Sequence, residues 1–306
     1  MDKKIAFLGT PNFAVPILKS IHQSNYKISC VFSQPPRKSN RGHKLNKSPI
    51  HLLSEELGIE IKTPENIEKE IDYIKSLNLD LAIVVAYGQI LSKDILSLSK
   101  NGFINIHASL LPKWRGAAPI QRSLINMDKI TGLSIMKINQ KLDEGPVCKK
   151  YPLDILENEN AKSLADRLSN LAAEKILPNI ENILQQKVNF EEQDSSMATY
   201  AKKIQKIEGK INWKNGADEI LAKINGLYPQ PGAWFSFEND RHKILRATLS
   251  KTTMRPGEII DDELTISCGN KSIKVTEIQR EGKKPQKTRD FLLGSKLKKG
   301  IILKNE

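Results

Sequence analysis

Three cysteines in 306 residues is few, and Cys30, Cys148 and Cys268 stand too far apart to pair as a spaced motif. Their odd number and spacing argue against a disulfide framework and against a zinc site, and suit a reducing cytoplasm. No apolar run reaches the length of a membrane span. Met1-Asp2-Lys3-Lys4 leads straight into the short run Ile5-Ala6-Phe7-Leu8, too short for a signal peptide's apolar region. The glycine fingerprint of dinucleotide binding is also missing, because Pro11 and Ala14 occupy the positions after Gly9 where further glycines are needed. No serine or cysteine with a fixed partner stands out as a nucleophile, so any group transfer is expected to be direct.

What is present is an ordinary globular composition, 39% hydrophobic and 27% charged, in a chain long enough for two domains. The net charge of +13 is unevenly spread. From Tyr200 to the end there are 22 Lys and Arg against 13 Asp and Glu, and before it 26 against 22. A basic last third beside a nearly balanced body reads as a polyanion-binding attachment on a catalytic part; a generally Lys-rich composition is the blander reading.

Short apolar runs alternate with helical spacing in the first half. Ile5 to Leu8, Ile28 to Phe32, Leu81 to Ala86 and Phe103 to His107 read as strands, the third continuous enough to be buried on both faces. Ala14, Ile17, Leu18 and Ile21 mark one helix. Ile50 to Leu57 marks another, with Ser48 as its cap and Pro49 in its first turn. This alternation predicts an α/β fold with a doubly wound sheet, whose ligands bind at the carboxyl ends of the strands. Gly9-Thr10-Pro11, Tyr87-Gly88-Gln89 and the stretch from Asn105 fall at such ends.

The pattern changes near residue 200. A helix is expected within Asn215 to Leu227. After it come short runs over Ala233 to Phe237, Lys243 to Leu249, Leu264 to Cys268 and Ser272 to Ile278, the signature of a small β-barrel. The predicted organisation is a catalytic domain over 1–188, a polar linker over 189–207 and a β-barrel domain over 208–306.

Asn105 and His107 lie two apart on one face of a strand and emerge at its carboxyl edge. A carboxamide can donate a hydrogen bond to an oxyanion, and an imidazole can donate or exchange a proton near neutrality. Asp143 and Glu144, in a turn marked by Gly145 and Pro146, are the carboxylates that could orient the imidazole and accept a proton. Spacing alone does not choose between them. By residue type alone, an Asn-x-His pair is also compatible with a capping or turn role. Trp114 and Arg115 could clamp a nucleotide, with packing an equal alternative for Trp114, and Cys148 reads as a small buried hydrophobe.

The run Asn105-Ile106-His107-Ala108-Ser109-Leu110-Leu111-Pro112-Lys113-Trp114-Arg115-Gly116-Ala117-Ala118-Pro119-Ile120, followed by Leu142-Asp143-Glu144-Gly145, resembles the signature of the folate-dependent formyltransferases. The resemblance implies a Rossmann-like formyltransferase domain followed by an OB-like β-barrel. It also implies catalytic roles for Asn105, His107 and Asp143, and so selects Asp143 over Glu144. The donor it implies is 10-formyltetrahydrofolate, contacted by Ser109, Leu110, Leu111 and Pro112 and by Tyr87, Gly88 and Gln89, with no metal.

The amine is not fixed by that core, since family members also formylate small nucleotides and nucleotide sugars. Two features point to methionyl-initiator tRNA. Pro35 to Pro49 holds Arg37, Lys38, Arg41, Lys44 and Lys47 without an acidic residue, and resembles the inserted basic loop of the tRNA-specific branch, with Arg41 at the loop's key position. Thr199 to Trp213, Tyr228 to Phe235 and Glu281 to Lys284 resemble that branch's linker and barrel. There Lys202, Lys203, Lys206 and Lys210 would face the tRNA. Asn212 departs from the aspartate usual before that tryptophan, a change expected to be structural. A monomeric cytoplasmic enzyme of translation initiation, without membrane contact, is the resulting expectation.

Overall fold

Strand-forming runs rich in Ile, Val and Phe build the centre of the first of two units, which runs to Gly116 and resumes over Thr131–Leu153 and Ala165–Tyr200. In the computed structural model, which describes residues 3–38 and 45–304, nine strands precede residue 160. They are β1 (Lys4–Gly9), β2 (Lys27–Phe32), β3 (Arg37–Lys38), β4 (Leu45–Asn46), β5 (Ile61–Lys62), β6 (Leu81–Val85), β7 (Phe103–His107), β8 (Ile130–Lys137) and β9 (Val147–Asp154). Seven form one sheet in the order β5-β2-β1-β6-β7-β8-β9, and β3 and β4 pair separately as an antiparallel hairpin. Every residue of β6 is buried, as its unbroken apolar run requires.

From β5 to β7 neighbouring strands are parallel, connected through α1 (Val15–His22), α2 (Pro49–Glu56), α3 (Ile71–Ser76) and α4 (Lys93–Leu96). The chain leaves β1 for β2 and β5 on one side, then returns to place β6 and β7 on the other. Loops leaving β1 and β6 therefore diverge and open a crevice at the carboxyl edge. The parallel order ends at β8, which runs antiparallel to β7 and pairs Ser134 with His107. The Ser48 hydroxyl accepts the His51 N–H and caps α2, with Pro49 in the first turn.

The second unit comprises Ala117–Ile130, Asp154–Leu164 and the chain from Ala201. It begins with α5 (Pro119–Ile125); the long α6 (Ala161–Leu184) follows β9 in sequence. The α7 helix (Ala217–Gly226) packs on α5, so closely that a Cβ at Gly226 would lie 2.6 Å from Ile125 Cγ1. An antiparallel sheet follows, ordered β10 (Ala233–Phe237), β11 (Asp240–Ser250), β13 (Ser272–Arg280), β12 (Thr265–Ser267), with β14 (Gln286–Lys287) also on β13 and α8 (Thr288–Leu292) next to it. Register breaks around Arg246 in β11 curl this sheet. Trp213 lies fully buried in its core, edge-on to Phe235 at 5.8 Å. Asn212 accepts the Lys214 backbone N–H through its side chain, a turn contact of the kind expected from its position.

Candidate active site

The β7 strand delivers two polar side chains to one point. Ile104 and Ile106 are buried on one face of the strand, which fixes it in the sheet and leaves Asn105 and His107 together on the other. Asp143 reaches the same point from the turn between β8 and β9. Asn105 Nδ2 donates to Asp143 Oδ1 at 3.4 Å, and His107 Nδ1 stands 3.6 Å from Asp143 Oδ2. The Gly116 backbone N–H donates to Asp143 Oδ2 at 2.8 Å. Three donors or rings thus face the two oxygens of one carboxylate.

The imidazole is oriented from its other nitrogen. His107 Nε2 lies 2.9 Å from the Trp114 carbonyl oxygen, which can only accept, so Nε2 carries a hydrogen. Nδ1 is then the nitrogen free to exchange a proton toward Asp143 and an incoming group. His107 is 6% exposed, dry enough to strengthen these contacts yet open to a substrate. Trp114 at φ 63° and Asp143 at φ 50° both occupy the left-handed region that side chains enter rarely, and both hold a contact to the site.

Geometry separates the two carboxylates that spacing could not. Glu144 turns away from His107 toward Arg115, with Oε1 3.4 Å from Nη1, and toward Lys141 at 3.6 Å. Only Asp143 faces Asn105 and His107. Arg115 itself is 1% exposed and held by Gln193 and Ser195, so it is not placed to clamp a nucleotide, contrary to the expectation from its charge. Trp114 is partly buried and contributes its backbone to the site, its N–H bound by Thr199 Oγ1.

The crevice between β1 and β6 lies in the same unit. Thr10 Oγ1 and Gln34 Nε2 both donate to the Tyr87 carbonyl, at 2.8 and 3.3 Å, tying together the ends of β1, β2 and β6. Gly88 follows at φ 87°, a conformation that needs glycine and leaves the backbone open to close approach. The Tyr87 ring is buried in the core, and the Gln89 amide is committed to Pro64 O and Ile67 N. What this segment presents is therefore backbone. In the loop after β7, Ser109 Oγ donates to Lys113 O and Ser109 O accepts from Ser134, while the Leu111 side chain is buried against Met136 and Val147. Leu110 and Pro112 are the partly exposed members.

Of the basic loop, Arg37 donates to Gln34 at 3.0 Å, and Lys38 pairs with Leu45 through the backbone. Arg41 and Lys44 lie outside the described residues. Within the second unit, Lys203 and Lys206 line a cleft of about 590 Å³ with Arg241, Lys243 and Arg280, beside Trp234. The Arg241 guanidinium lies over the Trp234 ring, 4.0 Å from its centroid. Lys202 is exposed and Lys210 partly so. Sequence reasoning did not find Arg241, Lys243 or Arg280; their spacing along β11 and β13 gives no signal until the strands pair.

Burial raises the thiols of Cys30 and Cys148 to about 11 and that of Cys268 to about 12. Cys148, read from the sequence as a small buried hydrophobe, is partly buried. With a pKa that high the reactive thiolate is a fraction of roughly 10⁻³ at about pH 8. Brief iodoacetamide treatment near neutral pH is accordingly expected to leave formyl transfer intact; rapid inactivation with label on Cys148 would contradict this.

Similarity searches agree with the geometry. The Formyl transferase family model matches residues 3–180, and the Formyl transferase, C-terminal domain model matches residues 203–296. The methionyl-tRNA formyltransferase of Pelagibacter ubique is 56% identical over 309 residues, covering 100% of both chains. That of Caulobacter vibrioides is 41% identical, covering 98% of this chain and 99% of its own. A solved N-formyltransferase from Helicobacter canadensis, crystallised with folinic acid and dTDP-3-aminofucose, superposes with a TM-score of 0.70 at 21% identity, over 90% of this chain and 99% of that one. At that identity it speaks for the fold alone. The chain belongs to the formyltransferase family, within its methionyl-tRNA formyltransferases.

Proposed function

We propose that the chain transfers the formyl group of 10-formyltetrahydrofolate to the α-amino group of methionyl-initiator tRNA, with Asn105, His107 and Asp143 as the reacting site. The observation that carries the reading is the convergence of Asn105 and His107 on one carboxylate, at the carboxyl edge of β7 beside the β1–β6 crevice. The crevice fits a flat, hydrogen-bonding ring: Gly88 exposes backbone, and the nearest atoms to a Cβ there are those of the Gln34 side chain, at 3.5 Å and beyond. Gly88 and its neighbours Tyr87 and Gln89 are assigned to hold the folate by main-chain groups, with the Ser109–Pro112 loop as the opposite wall. The bound folate supplies the formyl group.

The chain's own residues do the rest. As the amine nitrogen bonds to the formyl carbon, negative charge grows on the formyl oxygen. The second hydrogen of Asn105 Nδ2, the one not given to Asp143, is available to that oxygen. The amine loses its proton to His107 Nδ1 or to the Asp143 carboxylate, which face one another and can pass it between them. Breaking the old carbon–nitrogen bond returns a proton to the departing nitrogen. The Trp114 carbonyl and the Gly116 N–H keep imidazole and carboxylate in register throughout.

For the acceptor, the cleft of the second unit supplies a row of cations with an aromatic face, suited to phosphates and a base. Lys202, Lys203, Lys206 and Lys210, with Arg37, Lys38, Arg41 and Lys44 of the basic loop, are assigned to the tRNA. In this reading a catalytic domain over 1–188 is joined by 189–207 to a tRNA-binding domain over 208–306, in a cytoplasmic monomer. The test is direct. Purified protein given 10-formyltetrahydrofolate and methionyl-initiator tRNA should yield formylmethionine after release from the tRNA. Formylation of a small nucleotide amine in place of the tRNA would remove the proposal.

A further inference from the structure

We infer that Gln193, backed by the buried guanidinium of Arg115, is a positioning residue that sets Asp143 for the reaction; the inference rests on the assignment of Asp143 to that reaction. Asp143 stands in a left-handed conformation on the exposed side of its turn, next to Lys141 and Leu142, while Gly145 on the other side is buried against β8. Two distant segments add the fixed points that reach Asp143 itself.

Gln193 Nε2 donates to both carbonyls that flank Glu144, those of Asp143 and Gly145, each at 2.8 Å. Its Oε1 accepts from Arg115 Nε at 3.0 Å. Arg115 in turn reaches Glu144, in the middle of the same turn, and Ser195, two residues beyond Gln193. The residue after Arg115 is Gly116, whose N–H holds the Asp143 carboxylate. Asp143 is therefore gripped at its backbone through Gln193 and at its side chain through Gly116, and Arg115 joins the two grips.

The strap that carries Gln193 is itself anchored on both sides. Glu191 and Val147 exchange backbone hydrogen bonds at 2.8 and 3.0 Å. Thr199 accepts from the Arg115 N–H through its carbonyl, and donates its own N–H to Pro112 O. Residues 191–199, a polar stretch that reads as a linker, thus brace both loops of the site. Only an amide of this length fits the position. It must donate twice to carbonyls and accept once from a guanidinium, which neither a carboxylate nor an apolar chain can do.

The expected signature separates positioning from bulk structural support. Gln193→Met, similar in length but without polar hydrogens, should lower kcat by roughly 10- to 100-fold, the cost of a misplaced reacting group. Tetrahydrofolate binding and tRNA affinity, measured on the same protein, should stay near wild type. Gln193→Glu should be no better, because its oxygens face two carbonyls. In an Asp143→Asn background, Gln193→Met should change kcat by less than about threefold, since a group acting through Asp143 has nothing left to act on. Losses that multiply in the double variant would overturn the inference, as would a Gln193→Met enzyme of wild-type kcat beside an inactive Asp143→Asn. A fully active Asp143→Asn would remove the catalytic assignment as well, and the single variant reads that outcome separately.

Discussion

Asp143→Asn is expected to lower the rate of formyl transfer to methionyl-tRNA by roughly 10²–10⁴-fold while leaving tRNA affinity within about twofold of wild type. The Asp143 carboxylate receives the Asn105 amide, the Gly116 N–H and the edge of His107 on its two oxygens. An amide in its place has one accepting oxygen, so its own NH₂ must point at a donor or displace one. The site loses its proton acceptor and the alignment of the other two residues together. His107→Ala should match it in size, and Asn105→Ala should cost roughly 10²–10³-fold as the loss of one oxyanion donor. Because the three act as a unit, the triple variant should be little worse than the worst single one. Single-turnover formation of formylmethionyl-tRNA measures all of these; a rate within about threefold of wild type for Asp143→Asn would end the assignment.

Gly145→Ala is expected to be nearly as damaging through backbone sterics alone. A Cβ there would lie 1.8 Å from the Lys137 carbonyl oxygen and 3.2 Å from Met136 Cε, and the first of these is main chain that cannot turn aside. Relief requires the turn to move away from β8, and Asp143 moves with it. A loss of stability on the order of 1–3 kcal/mol should accompany a rate loss on the order of 10²-fold. Gly294 is the matched control position, since a Cβ there would meet nothing within 4 Å and its backbone, like that of Gly145, is outside the left-handed region. Thermal unfolding and initial rates, followed side by side for Gly145→Ala, check both halves. Wild-type rates in a well-folded Gly145→Ala protein would show that the turn tolerates displacement, against the tight geometry argued for Asp143.

The parts of this protein that were legible in the sequence are those governed by local periodicity and local chemistry. Phe103–His107 is a strand with the bounds its pattern predicts, and its period of two places Asn105 and His107 together. Ser48 caps the helix that its position before Pro49 announces. Leu81–Val85 ends one residue earlier than its apolar run, because Ala86 takes φ 48° and turns the chain toward Tyr87. The antiparallel placement of β8 was not legible, since its run of buried residues resembles that of a parallel strand.

What the sequence determined by itself was the alternating α/β body, the β-rich end, the family and the pairing of Asn105 with His107 on one strand face. Each depends on neighbours within a few positions or on a contiguous run of residues. Tertiary structure decided what spacing could not. Arg115 meets Gln193 across 78 positions and Gln193 meets Asp143 across 50, and these contacts turn a nominal linker into the brace of the site. They also send Glu144 to Arg115 and leave Asp143 alone facing His107. Adjacent carboxylates in one turn are equivalent in sequence and become unequal only when distant partners claim one of them. The physical reason is that a hydrogen bond selects by distance and direction in space, and neither is written in the order of the residues.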